Sequence, residues 1–98
     1  QLIDLLKSKS YDERRMAAAI LWQLEEDAEP AIPALITALG DKSSYRLRSL
    51  AAKALGAIGS DASNVMTALE QALKDSHPEV RESAQESINS IKKPNWWW

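Results

Sequence analysis

Leu47-Arg48-Ser49-Leu50-Ala51-Ala52-Lys53-Ala54-Leu55-Gly56-Ala57-Ile58-Gly59 is the stretch that decides the fold. Counted from Arg48, apolar residues stand at +3 (Ala51), +7 (Leu55) and +10 (Ile58), the spacing of one face of a helix with about 3.6 residues per turn. Gly59 follows the last of them, where a left-handed cap would end the helix. The pattern recurs after Arg14, at Ala17, Leu21 and Leu24, and after Arg81, at Ala84, Ile88 and Ile91. The three arginines are 34 and 33 residues apart, and Leu6, Leu39 and Leu73 are 33 and 34 apart, so two independent markers share one period. From each Arg to the next Leu the distance is 25 both times, whereas Leu to Arg runs 8, 9, 8. The extra residue therefore lies in a turn of the middle unit, where an insertion leaves packing undisturbed.

Ahead of each arginine a second apolar set aligns: Leu2, Leu35 and Leu69, then Leu5, Ala38 and Ala72, then the marker leucines. The i, i+3, i+4 spacing makes a first helix, so each unit is a helical hairpin. Ser10-x-x-Glu13 and Ser76-x-x-Glu79 read as capping boxes opening second helices, and Pro30 and Pro78 as first-turn prolines. The expected architecture is all-α, three hairpins and about six helices over residues 1–94, with units 1–29, 30–63 and 64–94 and a Trp-rich tail at 95–98. Gln1 falls inside an apolar helical pattern with no capping residue before it, which suggests part of a longer array. In the third unit Glu70, Gln85 and Ser87 replace Ile or Ala of the other units, the mark of a polar end cap.

With 27% charged residues and a net charge of -2, the chain lacks the cationic surplus that general phosphate-backbone binding demands. The absence of cysteine removes disulfides, thiolate metal sites and a cysteine nucleophile, and suits the cytoplasm. No apolar run approaches the roughly 20 residues of a membrane span.

Pro33-Ala-Leu-Ile-Thr-Ala-Leu-Gly-Asp41, followed by Leu47-Arg48-x-x-Ala51-Ala-x-Ala54-Leu55-Gly56-x-Ile58-Gly59, resembles the HEAT-like repeat of the phycobilisome-lyase type. The resemblance implies a right-handed α-solenoid with first helices on the convex side and second helices on the concave side. It also implies that Asp41 and Asp75 join Arg14, Arg48 and Arg81 in a ladder of charge-assisted bonds between units. Ser8 stands where the first Asp belongs, and Glu13 where Leu47 and Val80 stand, which weakens the first rung.

Catalytic constellations are missing: no Gly-x-Ser-x-Gly elbow, no phosphate-cradling glycine loop, and a single histidine, His77, read as a turn residue beside Pro78. Glu25, Glu26, Asp27 and Glu29 could in principle hold a hard cation, but their spacing matches no binding loop and suits solvated carboxylates ahead of a helix N-terminus. The expectation is a chain without catalysis, cofactor or metal. Trp22 aligns with Gly56 and Asn89, too varied a set for a core position, so it should face a groove or solvent. The variable positions +1, +5, +8 and +9 of the second helices mark a partner surface: Arg15, Ala19, Trp22 and Gln23, then Ser49, Lys53, Gly56 and Ala57, then Glu82, Glu86, Asn89 and Ser90. Such a stripe, grading from basic and aromatic to acidic, suits a protein or peptide segment. Two further readings are a non-catalytic part of a bilin lyase-like subunit, and nucleic-acid binding by the arginine side, which the net charge opposes. Trp96, Trp97 and Trp98 fit no repeat pattern and offer apolar surface for head-to-tail self-association.

Overall fold

The computed structural model describes residues 1–92, so the expectations for Trp96, Trp97 and Trp98 lie outside the described residues. Among the described residues six α-helices follow one another: α1 (Leu2–Leu5), α2 (Tyr11–Leu24), α3 (Ile32–Ala38), α4 (Tyr45–Ile58), α5 (Ser63–Ala72) and α6 (Pro78–Lys92), with a 3₁₀ segment over Glu25–Ala31. No strand occurs among the described residues. Helices α1, α3 and α5 are the first helices of three hairpins and α2, α4 and α6 the second, stacked as an α-solenoid in which α4 packs between α2 and α6.

The repeat positions show why this sequence stacks. Ala17, Ala51 and Ala84 are completely buried, as are Leu21, Leu55 and Ile88 to within a few per cent, so two positions of each second helix fill one continuous interior. On the first helices Leu35 and Leu69 are buried, whereas Leu2 is half-buried. Alanine at +3 lets backbones approach, and leucine or isoleucine one turn later fills the remaining space.

Several local expectations are corrected. Gln1 itself caps α1, its Oε1 accepting from the Ile3 N–H at 3.2 Å. Pro30 lies within the 3₁₀ segment, and α3 begins at Ile32 with Pro33 in its first turn. Of the two capping boxes only half of one forms. Ser10 Oγ accepts from the Glu13 N–H at 3.4 Å, but Glu13 turns its carboxylate to Ser8 Oγ. At α6 the capping acceptor is not Ser76 but His77 Nδ1, which takes the Glu79 N–H at 3.1 Å. Ser44, which no motif flagged, caps α4 by accepting from the Leu47 N–H at 3.2 Å. Leu24, expected in the core, is 41% exposed, on the side of α2 that the other described elements leave open.

Gly59 ends α4 at φ 78°, as a left-handed cap requires. The equivalent residue of the first unit, eleven past its arginine, is Glu25, and it too has positive φ, at φ 54° and ψ -130°. That backbone region is open to glycine and strained for any residue with a Cβ. Glu25→Gly is therefore expected to stabilise the chain by about 1 kcal/mol, net of glycine's greater unfolded-state entropy. An unchanged or lower urea midpoint would show the strain to be relieved in some other way.

Candidate functional site

Two features run across the stack, a ladder at the N-terminal ends of the second helices and a groove over their middles. Each arginine of the ladder repeats one bond. Arg14 Nη1 donates to the Ser8 carbonyl at 2.8 Å, Arg48 Nη1 to the Asp41 carbonyl at 2.9 Å, and Arg81 Nη1 to the Asp75 carbonyl at 2.7 Å. The guanidinium thereby satisfies a carbonyl left open at the end of its own unit's first helix. In the first two units its other edge reaches the next unit. Arg48 holds Asp75 at two points, Nε to Oδ2 at 2.8 Å and Nη2 to Oδ1 at 3.1 Å, with both side chains nearly buried.

The first rung is looser. Arg14 Nε lies 3.2 Å from Asp41 Oδ2, but off the axis of its N–H, so this buried Nε makes no aligned hydrogen bond. Asp41 Oδ1 is taken by the Ser43 N–H at 2.9 Å and by the Ser43 hydroxyl, while Arg14 Nη2 donates to Ser43 Oγ at 3.2 Å. Ser43 thus competes with the arginine for the same carboxylate. Ser8 weakens a different place from the one expected, since it occupies the position that faces away from the second unit. Arg81 is exposed and has no carboxylate partner among the described residues.

Burial by itself raises the pKa of Asp75, but the hydrogen bond from Arg48, the His77 N–H and the Arg48 charge outweigh it and hold the carboxyl below its ordinary 3.8. Asp41 is lowered in the same way, with Ser43 and then Arg14 overcoming burial. A carboxyl lowered in the folded state contributes stability above its unfolded value, and that contribution is lost as pH falls through the folded one. The unfolding free energy should accordingly drop below about pH 4, and less steeply in Asp75→Asn than in the parent chain. Parallel curves for the two proteins would remove Asp75 from the account.

The groove crosses α2, α4 and α6 and is lined by Trp22, Lys53, Gly56, Ala57, Glu86, Ser87 and Ser90. Trp22 is 39% exposed, and Lys53 Nζ sits 5.1 Å from the centre of its ring, within cation–π range. Of the twelve residues expected to face a partner, Trp22, Lys53, Gly56, Ala57, Glu86 and Ser90 line this groove. Arg15 and Ala19 are half-buried on α2, and Gln23, Glu82 and Asn89 are exposed outside its lining. Ser49 does not belong to the surface: it is 1% exposed, and its Oγ meets Ser83 Oγ at 2.7 Å between α4 and α6. Gly56 is also buried, forming the floor rather than the rim, because a Cβ there would come within 2.2 Å of Ser87 Oγ. Ser87, read as part of a polar end cap, lies in the same seam and donates to the Ala52 carbonyl at 2.7 Å. Glu70 and Gln85 do face solvent.

A second hollow, absent from the sequence reading, lies at the N-terminal ends of the second helices. The His77 ring stacks on Tyr45 at 3.6 Å with planes 7° apart, and Lys42, Arg46 and Ser76 border it. His77 Nδ1 accepts from the Glu79 N–H of its own helix. Among the described residues, no group of three or more His, Cys, Asp or Glu could hold a metal ion, and no helix is long and apolar enough to cross a membrane.

No curated protein matches the chain. Among solved structures, human deoxyhypusine hydroxylase in complex with glycerol superposes with a TM-score of 0.80 at 29% identity, over 95% of this chain and 31% of that one. The chain thus spans about a third of that relative. Residues 1–94 match the family described as HEAT repeats. Three stacked hairpins with a shared ladder and this match together place the chain in the HEAT-repeat family.

Proposed function

We propose that the chain binds a segment of another protein in the groove over α2, α4 and α6. The observation that carries this reading is the placement of Trp22 on the groove wall, 39% exposed with Lys53 over its face. Large aromatic rings at the edge of a concave surface supply most of the energy of many interfaces, and helical repeats offer such surfaces generally. Across the groove Glu86, with exposed Glu82 close by on α6, sets an acidic side opposite the Trp22 and Lys53 wall. The segment that fits carries an apolar anchor for Trp22 and a basic residue for Glu86. We assign this chain no catalytic step. The hydroxylase named above is an enzyme about three times its length, and its activity is not carried over here. The likeness of residues 33–59 to phycobilisome-lyase-type repeats leaves a bilin-related role as the alternative, for which an absorbance shift on mixing with a tetrapyrrole is the direct assay.

A displayed peptide library selected on the immobilised chain tests the groove. Selected peptides should lose about thirty-fold in affinity on Trp22→Ala, equivalent to about 2 kcal/mol, and should weaken again on Glu86→Lys. Peptides indifferent to both changes would place the binding surface elsewhere.

A further inference from the structure

Neighbouring second helices meet in one fixed pattern. On α6, Ser83 and Ser87 are 3% and 5% exposed, and they sit two and six residues past Arg81. They lie against Ser49, Ala52 and Gly56 of α4, which are one, four and eight past Arg48. The +2 and +6 positions of one unit therefore cover the +1, +4 and +8 positions of the unit before it. On α4 the +2 and +6 residues are Leu50, half-buried, and Ala54, completely buried. The adjacent Lys53 reaches Trp22, the +8 residue of α2.

On α2 the same positions are Met16 and Ile20, 54% and 40% exposed, and Leu24 extends the row one turn further at 41%. These three follow i, i+4, i+8 and form one apolar stripe, roughly on the opposite side of α2 from Trp22. The counterpart of Leu24 on α4, Ile58, is only 8% exposed. Repeat positions that are covered in two units stand open in the first, and they carry its largest exposed aliphatic side chains.

We propose that the Met16, Ile20 and Leu24 stripe is the docking face for a further two-helix unit of this repeat type, whose second helix lies on α2 as α4 lies on α6. The occupant is defined by chemistry: small residues at its +1, +4 and +8 positions, as Ser49, Ala52 and Gly56 supply on α4, and a guanidinium at its ladder position. Ser8 Oγ donates to the Glu13 carboxylate, so an acid stands beside the site that Asp41 and Asp75 fill in the other units. A second copy of this chain does not fit. Its α6 would offer Glu82, Gln85 and Asn89 at +1, +4 and +8, all exposed, with Gln85 Nε2 bonded to Asn89 Oδ1 at 3.0 Å. Laying a carboxylate and two amides on an aliphatic stripe strips their water without replacing it.

The test joins a copy of residues 30–67 ahead of Gln1, so that Gln1 takes the place of Ala68 in the repeat register and the added unit presents its own Ser49, Ala52 and Gly56 to α2. Peroxide oxidation of Met16, followed by mass spectrometry against Met66 as internal reference, should slow at least about five-fold in the extended protein, with a higher urea midpoint. Ile20→Glu should abolish both effects there while leaving the midpoint of the unextended chain unchanged. Equal oxidation of Met16 with and without the added unit would overturn the proposal. So would a loss of stability on Ile20→Glu in the unextended chain, or Met16 protection there that grows with concentration alongside the mass in light scattering, since the occupant would then be a second copy.

Discussion

Gly56→Ala is expected to lower stability by about 2 kcal/mol, or roughly 10 °C in Tm for a domain of this size, although alanine is the better helix former by about 1 kcal/mol. A Cβ on Gly56 would lie 2.2 Å from Ser87 Oγ, 2.6 Å from its Cβ and 2.9 Å from its Cα. The last of these is backbone, so no rotamer of Ser87 removes the conflict and α4 must part from α6. Parting them stretches two buried hydrogen bonds, Ser87 Oγ to the Ala52 carbonyl and Ser49 Oγ to Ser83 Oγ, each worth about 1 kcal/mol. Adding Ser87→Gly deletes the two nearest atoms and should recover part of the loss without restoring all of it. A Gly56→Ala protein as stable as the parent would mean that the two helices can separate without cost.

Asp75→Ala should cost about 3 kcal/mol, while Asp61→Ala should cost under about 0.5 kcal/mol. Asp75 accepts two bonds from Arg48 and one from the His77 N–H at 2.9 Å, and its loss leaves a nearly buried guanidinium facing no charge. Asp61 is exposed, and among the described residues its side chain makes no hydrogen bond; α5 starts at its Ala62 cap without a side-chain acceptor. Urea midpoints of the two variants decide the matter, and equal losses would mean that the second rung contributes nothing.

The hairpins and the interior were legible because both rest on periodicity. Ala17, Ala51 and Ala84 are buried by their spacing from an arginine, whatever the turns do. The ladder followed from the resemblance of the middle unit, and its geometry depended on more than residue type: Ser43 decides how Asp41 spends its lone pairs. The groove was only half legible. Variation among units at +1 and +8 suggested exposure, yet Ser49 and Gly56 are small because α4 and α6 approach closely there. A small residue at a variable position signals close approach as readily as it signals surface. The caps were least legible, since Ser44 and His77 each cap through a side-chain atom whose direction is set by the preceding turn.

The two joints of the stack are unequal, and this has a mechanical consequence. The joint between the second and third units has a bidentate rung at one end and two hydroxyl bonds and a close backbone approach along its length. At the joint between the first and second units, the rung is misaligned, and beyond the shared apolar interior the polar contact over the helix middles is Lys53 above the Trp22 ring. Under a bending load the stack should yield at the first joint, swinging α2 about its ladder edge while the last two units turn as one block. Trp22 rides on the compliant side of the groove and Glu86 on the stiff side, so flexing of that single joint would set the distance between the groove's two walls.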